Sequence, residues 1–362
     1  MIKSNIHLFI IVITLVAIGV IMVFSTSGIY AQQTYHDYLY FLKRQFLWAA
    51  LGLAALLVTM RFEYGIFRAW SKPMLFLSAG LLVLVLFPQF GRLAGGARRW
   101  LGWKSLSFQP GEFAKVALVL YLADFCSRKK KILRKFSVPA LLPFILSSLF
   151  FLLLIKQPDF GTGLVIIFVT GGILFLAGMR IKYLLTALLL ILPLIFILIF
   201  SAGYRRQRFL VFINPGAENS AVNYQTKQSL IALGSGGWKG VGLGKGLQKL
   251  FYLPGAQTDF IFSIIGEEAG FIGAGFVLLL YLGLAISIFR IALGAPDNFG
   301  YLLSLGIGIL LLLQVVINLG VVMGLLPTKG TPLPFVSLGG SALFFNLVAI
   351  GMVLSVAKQG LK

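Results

Sequence analysis

An ionisable side chain beside a run of residues suited to lipid is costly unless it is paired or at work. Asp259 stands in such a place, directly before Phe260, Ile261 and Phe262. Its carboxyl has two readings: the cap of the helix that follows, or a functional group kept at the membrane boundary. Glu267 and Glu268 are adjacent on the same run, so they are expected to point in different directions and not to form a paired-carboxylate site. Glu112 and Lys115 are three residues apart, the spacing of an intrahelical ion pair. Pro158, Pro327, Pro332 and Pro334 interrupt apolar runs, and broken backbone at membrane depth is tolerated where it is buried in protein or lines a cavity. A polar cavity facing outward is therefore expected.

The glycine series from Gly234 to Gly246, GSGGWKGVGLGKG, fits neither nucleotide motif. Counting back from Gly244 and Lys245, a P-loop would need glycine where Lys239 stands and Ser or Thr where Gly246 stands. A dinucleotide fingerprint needs a βαβ unit, which a segment between membrane runs does not supply. What remains is a set of turns that lets backbone approach backbone or ligand. Cys126 is the only cysteine, which excludes an intrachain disulfide, and His7 and His36 are the only histidines, which excludes a Cys/His zinc cluster.

The elements that must position these residues are membrane helices. The chain is 59% hydrophobic and 11% charged, far from the balance of a soluble domain. Runs long enough to cross the hydrocarbon core lie near 7–29, 45–62, 72–88, 112–126, 138–155, 162–178, 182–202, 261–290, 300–325 and 340–358. The expected fold class is an all-α integral membrane protein of about ten transmembrane helices, forming a single polytopic domain over 1–362. The apolar stretch Leu8 to Phe24 exceeds a signal-peptide core, so it reads as an uncleaved span. An even number of spans puts both termini on one side. The Lys/Arg bias nearly ties between the sides until the long 203–260 segment is set aside, and then favours cytoplasmic termini, led by Arg128 to Lys131 with Arg134 and Lys135. The segment 203–260 is then a large extracytoplasmic loop carrying the active site. The net charge of +21 falls in short loops rather than on one amphipathic face, so anionic lipid, not nucleic acid, is the expected partner.

Read in order, GARRW and SFQPGEFAK (within 96–115), QPDFGT (157–162), QKLFYLPGAQTDFIFSIIGEEAGFIGA (248–274) and NLGVVMGLLPTKGTPLPFVSLGGSAL (318–343) resemble the signature of the SEDS family, FtsW/RodA/SpoVE. FLKRQ at 41–45 and YRRQRF at 204–209 also fit. The resemblance runs from about residue 10 to 358 and leans towards the FtsW branch. It implies a peptidoglycan glycosyltransferase of the bacterial cytoplasmic (inner) membrane, serving division or related wall synthesis. Such an enzyme joins lipid II, the undecaprenyl-pyrophosphate-linked disaccharide peptide, into β-1,4-linked glycan with inversion. It also implies Asp259 as the catalytic general base, and substrate binding by Arg44, Arg99, Gln109, Glu112, Lys115, Asp159, Arg205, Lys329 and Ser337.

The departing pyrophosphate needs fixed cations or a metal ion. Arg99, Lys115 and Lys329 are the first candidates, expected to converge on one cavity, with Arg44 and Arg205 behind them. The sequence singles out no cofactor; a divalent cation, Mg or Mn, is compatible with the chemistry, and no ligand cluster in the sequence demands one. A class B penicillin-binding protein is the implied transpeptidase partner, alongside other divisome membrane proteins. The chain departs from the family pattern at Gly255 and Gln257, where Glu and His are usual, and at Ala342, where a second serine is usual. A lipid II flippase and an inactive recruitment scaffold are the competing functions.

Overall fold

The computed structural model describes residues 2–94, 96–103, 106–135, 138–214 and 221–360. Its helices are α1 (Ile2–Tyr35), α2 (Tyr40–Thr59), α3 (Tyr64–Leu84), α4 (Pro110–Arg128), α5 (Lys130–Lys135), α6 (Leu142–Lys156), α7 (Phe160–Leu176), α8 (Ile181–Phe200), α9 (Gly203–Ile213), α10 (Ala221–Ser235), α11 (Ile261–Leu293), α12 (Asn298–Val322) and α13 (Gly340–Gln359). Each of the ten expected spans coincides with a helix. Among the described residues, eight helical stretches are long and apolar enough to cross a membrane on those grounds alone. The other two expected spans correspond to α4 and α7. The first carries Glu112, Lys115, Asp124 and Arg128, and the second has 17 residues. In the basic run, the side chains of Lys131, Arg134 and Lys135 lie outside the described residues.

The charges of α4 are tolerated because this helix is buried along nearly its whole length, packed by α3, α7 and α12. Its polar groups meet protein instead of lipid. Glu112 and Lys115 form the expected ion pair at 2.8 Å, and Lys115 Nζ also donates to Gln314 Oε1 of α12 at 2.8 Å. At the far end, Asp124 accepts from Arg128 and from Arg68 of α3. That helix begins eight residues before the start expected from hydropathy, which takes Arg68 and Ser71 into the bundle; Ser71 Oγ also donates to Asp124. In contrast, α8 buries none of its residues, which suits a sequence apolar all round.

Two features were not legible beforehand. Three short strands, β1 (Gly91–Ala94), β2 (Ala97–Trp103) and β3 (Leu106–Phe108), form an antiparallel sheet. The segment 203–260 is also more than a loop, since it contains α9 and α10.

The glycine series repairs a broken helix. At Gly270 (φ 66°, ψ −166°) α11 leaves helical geometry, which would strand backbone groups on either side. The 236–242 backbone takes them up. Phe271 N donates to Gly237 O and Ile272 N to Trp238 O, while Glu267 O and Glu268 O accept from Val241 N and Gly242 N. A Cβ on Gly240 would lie 2.1 Å from Glu268 O, and one on Gly270 would lie 2.3 Å from Gly240 N, so the seam needs glycine on both sides. The expectation that Glu267 and Glu268 diverge needs amending. They do not pair with each other, but both carboxylates reach into this same segment. Glu267 accepts from Leu247 N at 2.7 Å, and Glu268 accepts from Gly244 N and pairs with buried Lys249 at 2.6 Å. Ser25 of α1 also donates to Glu268.

Candidate active site

Asp259 does not cap α11. The N-cap position is Phe260, with no side-chain cap, whereas Asp159 and Asp297 do cap α7 and α12 through Thr162 N and Gly300 N. Among the described residues no hydrogen bond reaches the Asp259 carboxyl oxygens. The carboxyl instead faces a cavity of about 640 Å³, within the range of small-molecule sites. Arg99, Asp159, Arg205, Arg208 and Lys329 line the same cavity, together with Tyr204, Phe160, Thr328 and Gly330.

Each cation arrives by a different device. Arg99 is the extra residue of a β-bulge: Arg92 pairs with Trp100 and Leu93 with Arg98, leaving Arg99 without a partner on β1. Bulges re-aim side chains, and here the guanidinium donates to Gln157 O and Pro158 O in the turn before α7. Arg205 and Arg208 are three apart on α9 and so share a face. The Arg205 guanidinium lies 5.6 Å from the Phe160 ring, and its Nε and Nη1 are buried without hydrogen-bond partners. Arg208 donates to Thr328 O. Lys329 lies across Gly161 so closely that a Cβ there would sit 2.7 Å from Lys329 Cε.

The charged lining sets Arg99, Arg205, Arg208 and Lys329 against the carboxyls of Asp159 and Asp259. Protein packed around Asp259 pushes its pKa up to about 6, against the pull of Arg208 and Arg99. Burial pushes Lys329 down to about 8, opposed by Asp159 and helped by Lys115. Asp159 does not compete for the cations by direct pairing. Its oxygens accept from Thr162 N, Thr162 Oγ1 and Gln109 Nε2.

Of the residues singled out in the sequence, the structure brings Asp259, Asp159, Arg99, Arg205 and Lys329 to one cavity. Gln109, Glu112 and Lys115 stand behind its wall: Gln109 steadies Asp159, and Lys115 is committed to Glu112 and Gln314 while acting on Lys329 at a distance. Ser337 is buried away from the cavity and donates to Thr258 O. Arg44 stays on α2 beside Tyr40. Two residues that sequence reasoning did not single out matter here. Arg208 was findable from its spacing to Arg205. Asn318, which donates to Asp259 O from near the C-terminal end of α12, opens the string quoted at 318–343 but was not singled out as a site residue. Among the departures, Gly255 sits at φ 78°, a conformation that favours glycine, and Gln257 contributes its backbone oxygen to Leu338 N.

The FtsW/RodA/SpoVE family, described as "Cell cycle protein", matches residues 6–361. The chain belongs to this family. A relative from Trichlorobacter lovleyi named "Probable peptidoglycan glycosyltransferase FtsW" is 43% identical, over 99% of this chain and 94% of its own length. The "Stage V sporulation protein E" of Bacillus subtilis is 43% identical over 98% of each. Among solved structures, one described as showing coordination of polymerization and crosslinking by a peptidoglycan synthase complex superposes with a TM-score of 0.80 at 30% identity, covering 98% of this chain and 97% of that one. The rod shape determining protein RodA of Thermus thermophilus gives 0.70 at 30% identity, with the same coverage. The chain is thus a multi-pass bacterial membrane protein of the FtsW/RodA/SpoVE family.

Proposed function

We propose that this FtsW/RodA/SpoVE member is a peptidoglycan glycosyltransferase that polymerises lipid II with Asp259 as general base. The observation that carries the reading is a carboxylate without hydrogen-bond partners, facing a cavity also lined by Arg99, Arg205, Arg208 and Lys329. The acceptor GlcNAc 4-hydroxyl gives its proton to Asp259 as its oxygen attacks the donor MurNAc anomeric carbon. The bond to undecaprenyl pyrophosphate breaks on the opposite side, so the configuration inverts without a covalent enzyme intermediate. Negative charge grows on the departing diphosphate, where guanidinium forks and the Lys329 ammonium stabilise it. The buried, unpartnered Nε and Nη1 of Arg205 suit that role. Among the described residues no group of three acidic, His or Cys side chains gathers; Asp159 and Asp259 are the carboxylates lining the cavity, and would hold a divalent cation only together with the phosphates of the substrate. No step is assigned to a metal.

The pH profile tests the assignment. Asp259 acts only when ionised, so activity should rise through its pKa of about 6, and Lys329 acts only when protonated, so activity should fall through about 8. A bell-shaped kcat/KM with limbs near those values is expected, and Asp259→Glu should move only the acid limb. A flat profile between pH 5 and 9, a window on the order of the two pKa values, would remove both groups from the chemical step.

Cytoplasmic termini place the cavity on the outer face, where a class B penicillin-binding protein and other divisome membrane proteins would meet the nascent strand. The resemblance of the fold to a chain of a peptidoglycan synthase complex supports such a partner. Orientation is tested by cysteine labelling. A probe at exposed Ser235 should react from outside, while one at Ser137, which lies outside the described residues, should not; Cys126 is buried and gives little background. The reverse pattern would invert the topology.

A further inference from the structure

Asp259 and Lys329 reach the cavity from two irregular segments, 236–260 and 323–339, that are far apart in sequence. Both segments meet at one side chain. Asn318, on α12 and 1% exposed, donates from Nδ2 to Asp259 O at 2.8 Å and to Thr331 O at 2.8 Å. A primary amide has two N–H bonds on that nitrogen, and both are used. The opposite amide orientation would set Oδ1 against two carbonyl oxygens, so the acceptors fix which way it points. Its own Oδ1 is buried with no partner, a cost that a packing residue would not carry.

Around this contact the two segments are sewn together. Ser337 Oγ donates to Thr258 O and accepts from Leu333 N, and Leu338 N donates to Gln257 O. The spacing at the cavity is correspondingly tight: a Cβ on Gly330 would lie 3.3 Å from Asp259 Oδ2. Asn318 therefore holds the backbone of Asp259 and the backbone two residues after Lys329 through one rigid group on a buried helix. A small slip of either segment changes the separation between the proton acceptor and the cation that faces the leaving group.

We propose that Asn318 is a positioning residue that sets the geometry of Asp259 relative to Lys329; this rests on the reading of Asp259 as the base. The test uses purified full-length protein and lipid II in detergent. Asn318→Leu keeps roughly the same volume without either donor, and Asn318→Ala removes donors and volume together. In both, kcat per folded molecule should fall about 10²-fold while KM for lipid II stays within about threefold, since misplacement acts on the chemical step. A role in packing alone predicts that Asn318→Leu keeps kcat within about threefold and only Asn318→Ala is impaired, which would overturn the proposal, as would a loss confined to KM. Should Asn318→Leu not yield folded protein, the kcat-against-KM split of Asn318→Ala decides. Asp259→Asn is measured alongside: an active Asp259→Asn refutes the base assignment, whereas an inactive Asp259→Asn with a normal Asn318→Leu refutes only this inference.

Discussion

Asp259→Asn is expected to cut glycan polymerisation by about 10²- to 10⁴-fold, the range of a lost general base, while the protein folds and binds lipid II nearly as before. The amide keeps the shape of the carboxyl but cannot accept the acceptor hydroxyl's proton at neutral pH. Because no hydrogen bond to the carboxyl holds α11 in place and the helix cap is Phe260, the substitution removes no structural tie. The loss should therefore fall on kcat rather than KM. Glu267 and Glu268 are poor controls for this experiment, since their carboxylates anchor the 244–249 backbone and Lys249. A loss of lipid II binding with unchanged turnover of bound substrate would instead make Asp259 a binding group and not the base.

Lys329→Met is expected to have the next largest effect, a fall in kcat of about 10²- to 10³-fold, the cost of removing one preorganised group from developing charge. Methionine retains much of the stem that lies across Gly161, so the change is chiefly one of charge. The alkaline limb near pH 8 should vanish with the ammonium that produces it. Lys329→Arg should restore charge but only part of the rate, because a planar guanidinium cannot occupy the space above Gly161 as an extended ammonium does. Single-turnover rates at matched lipid II occupancy separate this from a binding defect. Full activity in Lys329→Met would move leaving-group stabilisation to Arg99, Arg205 and Arg208.

The helices were legible because membrane spans are written in composition: α1, α8 and α12 are apolar over lengths no soluble helix face requires. Asp259 was legible for the same reason, as a charge where charge is costly. The sheet at 91–108 was not, since strands of 4, 7 and 3 residues rich in Gly and Arg show no clear alternation. Without the sheet, the bulge that aims Arg99 could not be anticipated. The basic residues could be identified by type but not sorted. Spacing already implied the Glu112–Lys115 pair, but only packing adds Gln314 to it, keeps Lys115 behind the wall and sets Lys329 facing the cavity. Asn318 stands in the string at 318–343, but its role could not be read there because the two backbones it bridges meet only in the folded chain.

Bond formation is what separates a polymerase from a lipid II transporter. Purified wild-type protein in detergent, where no membrane side exists, should convert lipid II into β-1,4-linked glycan, and the Asp259→Asn variant at equal lipid II occupancy should not. If folded wild-type protein, with and without a penicillin-binding partner, yields no polymer while moving lipid II across reconstituted bilayers, or if the two proteins polymerise equally, the central claim is contradicted.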